Sequence, residues 1–130
     1  MQSHLLFNFQ KSIGIELLAG LHDKACEIAQ RFVDEIEHTV QDELGYRELH
    51  LFNESIFDTD LQEADFIFLN HPFKDRELLE KLEQKFLAEL KPGTKIVTII
   101  RALTDPSFKA LGSEKFTFSW GESTAYFFEL

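Results

Sequence analysis

One cysteine (Cys26), one methionine (Met1) and one tryptophan (Trp120) stand in a chain of 130 residues. A single cysteine excludes an intrachain disulfide and fits a reducing, cytoplasmic setting. No apolar run reaches the roughly 20 residues that a membrane-spanning helix needs. The opening stretch, Met1 to Phe9, has no basic cluster and no small-residue cleavage site, so it does not read as a secretory signal. Glycine is absent from the first twelve residues. Positive charge is also scarce: 13 Lys and Arg against 23 Asp and Glu leave a net charge of −10. That balance argues against unaided binding to nucleic acid, which needs clustered cations to release counterions. It permits a basic protein or peptide as partner. The five histidines show no metal-ligand spacing. No metal site is expected, and Cys26 is too isolated for a Cys–His nucleophile.

What is present is an alternation of strand and helix patterns. Ser12–Glu16 reads as a buried strand. Leu21, Ala25, Ile28, Ala29, Phe32 and Ile36 recur at helical spacing, predicting an amphipathic helix from Leu21 to about Asp42 with a stop at Gly45. Cys26 falls on its apolar side and is expected in the core. Glu48–Phe52 is a short alternating strand. Asp65–Leu69 is a buried strand leading into Asn70-His71-Pro72-Phe73. Asp75 can cap the next helix, whose inner face is Leu79, Leu82, Phe86 and Leu90, and Lys91-Pro92-Gly93 ends it. Lys95–Ile100 is a third buried strand. About a dozen irregular residues follow, then Lys115–Ser119, a turn at Trp120-Gly121-Glu122, and Ser123–Glu129. Alternating β and α elements predict a parallel sheet with helices on both faces. The last two strands are joined too tightly for a crossover helix, so they form an antiparallel hairpin. The expected fold class is α/β, a partial Rossmann-like sheet in one partial domain spanning 1–130.

The strand that ends at Glu16 and turns into a helix is one half of a nucleotide site. In Rossmann-type folds an acid at such a strand end accepts hydrogen bonds from the ribose hydroxyls. That acid normally follows a glycine-rich turn by about 20 residues. Fifteen residues precede Glu16 here, and the glycine-rich turn is not among them. No nucleophile or metal cluster is visible, which fits chemistry carried by a cofactor.

Four stretches carry a resemblance: Gly14-Ile-Glu16 with Gly20-Leu-His-Asp23; Ala64 to Asn70; Leu90-Lys-Pro-Gly-Thr-Lys-Ile-Val97; and Ser119-Trp-Gly-Glu-Ser-Thr-Ala-Tyr126. Together they span nearly the whole chain. They resemble a class I S-adenosylmethionine-dependent methyltransferase entered at its second strand, and are most similar to the DOT-type (disruptor of telomeric silencing) lysine methyltransferases. The resemblance implies S-adenosylmethionine as cofactor, with Glu16 on the ribose hydroxyls. It places the loop Glu54-Ser55-Ile56-Phe57 against adenine, with Ser55 or Glu54 at the position where relatives usually have an aspartate. Asn70 would line the methyl-transfer channel as the catalytic residue and touch the cofactor. His71, Pro72 and Phe73 would border the substrate channel; Trp120 either packs the hairpin turn or walls that channel. The departure from the family is the absent first strand and glycine-rich turn, the floor under the amino-acid end of the cofactor.

Three functions follow as expectations. The first is the C-terminal part of a methyltransferase acting on protein lysine amines, inactive as an isolated chain. The second is an amino methyltransferase for a nucleobase, from the Asn-His-Pro-Phe string, against which the acidic balance weighs. The third is a non-catalytic, degenerate module used for oligomerisation or partner binding. In the family's sheet the absent strand lies between the strands ending at Glu16 and Asn70. The partner expected at that seam is a second copy, forming a homo-oligomer, or the missing N-terminal segment.

Overall fold

The computed structural model describes residues 8–37, 45 and 47–130. The chain divides into two compact units, Met1–Thr59 and Asp60–Leu130. The first holds β1 (Lys11–Ile15), α1 (Ala19–Phe32), a π-helical turn at Val33–Glu37 and β2 (Glu48–Phe52). The second holds β3 (Phe66–Asn70), α2 (Arg76–Glu89), β4 (Lys95–Ile99), β5 (Lys109–Phe118) and β6 (Gly121–Glu129). The order of elements is the expected α/β alternation closing on an antiparallel hairpin.

In the first unit β1 and β2 pair in parallel, with Ile15 opposite Phe52. Gly14 is required by packing: a Cβ there would lie 2.7 Å from Leu51 Cδ2. The helix differs from its sequence pattern. It starts two residues earlier, at Ala19, and gives way to the π-helical turn after Phe32; the expected end near Asp42 lies outside the described residues. Only Phe32 of α1 is buried, while Leu21 and Ile28 remain more than half exposed. Cys26 is exposed and not a core residue. Ile13 of β1 is likewise 47% exposed, so the expected buried strand is open to solvent.

The second unit is built around a four-stranded sheet in the order β3-β4-β6-β5. β3 and β4 run parallel, and β6 is antiparallel to both β4 and β5. Side chains alternate across a sheet, and the register places Ile67, Ile96 and Phe128 in one row. All three are buried, as are Leu79, Leu82, Phe86 and Leu90, the predicted inner face of α2. Phe86 is fully enclosed and meets Phe108 edge-on at 6.4 Å. The opposite row, Phe68, Val97 and Phe127, is less covered, with Phe68 55% exposed. Asp75 caps α2 as predicted: its Oδ1 accepts from Leu78 N at 3.0 Å. After α2 the backbone at Gly93 has φ +90, a left-handed conformation in which glycine carries no Cβ penalty.

The hairpin is longer than its sequence pattern. β5 begins at Lys109, not Lys115, and contains a register shift between Ala110 and Gly112. Phe118 pairs with Gly121, so the turn residues are Ser119 and Trp120. The Trp120 ring stacks on Phe118 at 4.8 Å and stays 55% exposed.

Candidate functional site

In the first unit the site grows from the ends of two parallel strands. Ligands of open α/β sheets bind beyond the carboxyl ends of such strands. Glu16 follows β1 directly and is half-buried. Its Oε1 accepts from Leu18 N at 2.8 Å, which places the carboxylate at the N-terminus of α1, where the helix dipole favours negative charge. No hydrogen bond is recorded for Oε2 among the described residues. Asn53, directly after β2, donates from Nδ2 to the carbonyls of Glu16 and Leu17 at 2.8 and 3.0 Å. This amide clasps the two strand ends together, a role the sequence reading missed. Its signal was position alone: the first residue past the end of a short alternating strand.

The loop beyond Asn53 is shaped by its own side chains. Ser55 Oγ accepts from Phe57 N at 3.2 Å. Ser55 O accepts from Asp58 N and from Thr59 Oγ1, and Thr59 Oγ1 also lies 2.8 Å from Glu54 Oε1. Ser55 and Ile56 are thus held in a defined turn, half-buried, with Ile56 and Phe57 supplying apolar surface. These groups could meet the adenosine half of a nucleoside cofactor, the Glu16 carboxylate accepting from ribose hydroxyls and the apolar turn lying against the base. No described residue of this unit is assigned to the amino-acid half. A groove of about 390 Å³ on the α1–β2 side is lined by Cys26, Phe32, Arg47, Leu49 and Leu51 among others, and includes none of the predicted site residues.

In the second unit the carboxyl ends of β3 and β4 lie side by side, with Asn70 opposite Ile99. Asn70 and His71 are exposed, Pro72 is buried and Phe73 half-buried, so the four side chains do not share one environment. His71 takes φ +71, and Ile100, directly after β4, takes φ +78; they are the two non-glycine residues with positive φ among those described. For a β-branched residue this is a strained conformation, costing about 1–3 kcal/mol and kept only where the surroundings enforce it. Here Ile100 N donates to Thr124 O at 2.9 Å, and the fully buried Thr98 Oγ1 donates to Arg101 O at 2.6 Å. Farther along the loop, Thr104 donates from N and Oγ1 to the carboxylate of Glu83, which is 2% exposed on α2. Asp105 Oδ1 accepts from Ser107 N, and that bond holds its carboxyl below the usual range. Since Ala125 pairs with Ile99, the start of β6 and the Trp120 turn extend past the carboxyl end of β4. Trp120 therefore lies at the same end of this sheet as Asn70. No group of three or more His, Cys, Asp or Glu side chains among the described residues is placed to hold a metal ion.

Residues 1–117 match the family described as histone methylation protein DOT1. The chain belongs to the DOT1 family. Solved structures agree on the fold. The DOT1-family chain is 21% identical to an RNA methyltransferase from Salinibacter ruber, solved with S-adenosyl-L-homocysteine, at a TM-score of 0.61. That likeness covers 92% of this chain and 65% of the other. A methyltransferase from Pyrococcus furiosus is 18% identical over 98% of this chain and 66% of its own, also at 0.61. The N-methyltransferase NodS from Bradyrhizobium japonicum, with S-adenosyl-L-homocysteine, is 11% identical over 90% and 65%, at 0.61. No curated protein matches. At these identities the structures establish a class I methyltransferase fold, and the DOT1-family chain spans just under two thirds of the first of them. No helix among the described residues is long and apolar enough to cross a membrane.

Proposed function

We propose that this chain is part of an S-adenosylmethionine-dependent methyltransferase acting on protein lysine amines, and that it turns over poorly by itself. The observation that carries the reading is the family match over residues 1–117. Glu16, oriented by Leu18 N and clasped through Asn53, supports it from the cofactor side. The cofactor supplies an electrophilic methyl group on sulfur. Glu16 would hold the ribose, and Ser55 and Ile56 would bound the adenine. Asn70 would orient the acceptor amine through its side-chain carbonyl, and Pro72, Phe73 and Trp120 would shield the channel from water. The acidic balance of the chain suits a basic polypeptide substrate.

Calorimetry of the chain with S-adenosylmethionine tests the cofactor claim. Weak binding is expected, because the described residues offer groups for the adenosine half alone. Each lost factor of ten in affinity corresponds to about 1.4 kcal/mol. Micromolar binding would show that another element supplies the amino-acid end. Mass spectrometry of a lysine-rich peptide and of an RNA, each incubated with the chain and cofactor, tests the acceptor. Methyl groups on the RNA and none on lysine would overturn the lysine assignment.

A second reading, a non-catalytic module for self-association, is favoured by Ile13, Leu17, Leu18, Leu21 and Phe68, all exposed by 47–66%. Large apolar side chains left open in this number mark interaction surfaces. On that reading the chain sediments as a homo-oligomer at micromolar concentration, and Phe68→Lys shifts it toward monomer. A parent chain that stays monomeric across that range removes this reading.

A further inference from the structure

At the carboxyl end of β3 and β4, the exposed Arg101 and His71 make no side-chain hydrogen bond or ion pair within the described structure. Three of the four arginines are engaged: Arg31 with Glu35, Arg47 with Asn8, and Arg76 with Glu80. Arg101 is exposed, and no side-chain hydrogen bond or ion pair is recorded for it among the described residues. Among the described histidines, His22 contacts Cys26 and Asp23, and His50 contacts Glu48. His71 has no such contact and is exposed. An acidic chain would ordinarily offer these groups carboxylates, with 23 available.

Topology puts both just past adjacent strand ends. Asn70 is opposite Ile99, so His71 follows one strand end and Arg101 lies two residues past the adjacent one. Both stand on or beside left-handed backbone. His71 is itself left-handed, and Arg101 follows left-handed Ile100 with its carbonyl held by buried Thr98. Two acids of the same region are turned to local work: Asp75 caps α2 through Leu78 N, and Asp105 accepts from Ser107 N. Glu77 in the first turn of α2, Glu114 opposite Ala125, and Glu122 at the start of β6 are further exposed carboxylates at this end, none of them paired with Arg101 or His71 within the described structure, and Lys74 adds an exposed cation.

We propose that Arg101 and His71 form an oxyanion-recognising pair that binds a phosphate or carboxylate group carried by the methyl acceptor. The proposal rests on the reading of this end of the sheet as the acceptor side. Arginine presents a planar fork of donors that matches either oxyanion with two parallel hydrogen bonds. An arginine whose backbone is already held gives up less freedom on binding than one on a mobile loop. The pair would select acceptors in which an anionic group neighbours the amine, a restriction that the net acidity of the chain does not impose.

The test uses the whole chain and inorganic phosphate, with amide resonances followed by nuclear magnetic resonance at constant ionic strength. Saturable shifts are expected at His71 and at residues 100–102. Arg101→Gln should weaken phosphate binding about tenfold or more, and Arg101→Lys should restore part of it. His71→Asn, which tolerates the left-handed backbone, should weaken binding less. Acetate in place of phosphate separates the sources: tighter phosphate binding identifies a phosphate ester, tighter acetate binding a carboxylate. Absence of saturable shifts at this end, or equal phosphate affinity in Arg101→Gln, would overturn the proposal. Neither measurement requires cofactor or turnover, so failure of the methyltransferase reading would show separately in the calorimetry.

Discussion

Phe86→Ala is expected to destabilise the second unit by about 3–5 kcal/mol. The ring is fully enclosed, sits at the centre of the α2 stripe and meets Phe108 edge-on. Removing it takes away both the apolar transfer energy and the contacts of its neighbours, because a packed interior collapses only partly around a void. The loss is large against the ~5–15 kcal/mol that holds a typical domain. Urea denaturation followed by far-ultraviolet circular dichroism would measure it. A loss below about 1 kcal/mol would mean that α2 does not pack on the sheet as described.

The second large effect is expected at Glu83. Its carboxylate is 2% exposed and takes up the backbone and hydroxyl donors of Thr104. Glu83→Ala would remove the charged acceptor of the part-buried Thr104 N–H and hydroxyl, a loss of about 1–3 kcal/mol, and would add a void. The damage should be local as well as global. Hydrogen exchange should quicken across residues 100–108 more than in β3 or α2 outside their ends. Thr104→Val keeps the backbone donor and should cost less. Uniform loss of protection throughout the second unit would show that Glu83 supports the core as a whole and not the loop.

The helix stripe that Phe86 belongs to was legible in the sequence because Leu79, Leu82, Phe86 and Leu90 recur at helical spacing and are in fact covered. The same logic applied to Leu21, Cys26 and Ile28 gave a core face, and the structure leaves them exposed. Periodicity identifies residues that share a face; it carries no information on whether anything lies against that face. The early half of β5 was missed for a different reason. Gly112, Ser113 and the charges around them lack strand character, and it is pairing with β6 that makes them extended. Glu83 left a signal that was passed over: an acid at a core position of an amphipathic stripe needs a partner. The strained backbone at Ile100 had no sequence signal, since a β-branched residue is among the last expected there. Of the candidate site, the strand-end residues Glu16 and Asn70 were visible as polar stops to apolar runs. The Asn53 clasp and the position of Arg101 depend on the parallel register, which no single segment encodes.

The stacked pair at the hairpin tip sets what optical methods can report. Trp120 is the sole tryptophan, and 55% of it already faces water in the folded chain. Its emission should therefore be that of a largely hydrated indole, changing little when the core melts. The parallel ring of Phe118, 4.8 Å away, supplies a chiral aromatic environment. The near-ultraviolet dichroism of that couple should mark the turn specifically, fading when β5 and β6 separate even if α2 and the parallel strands remain intact.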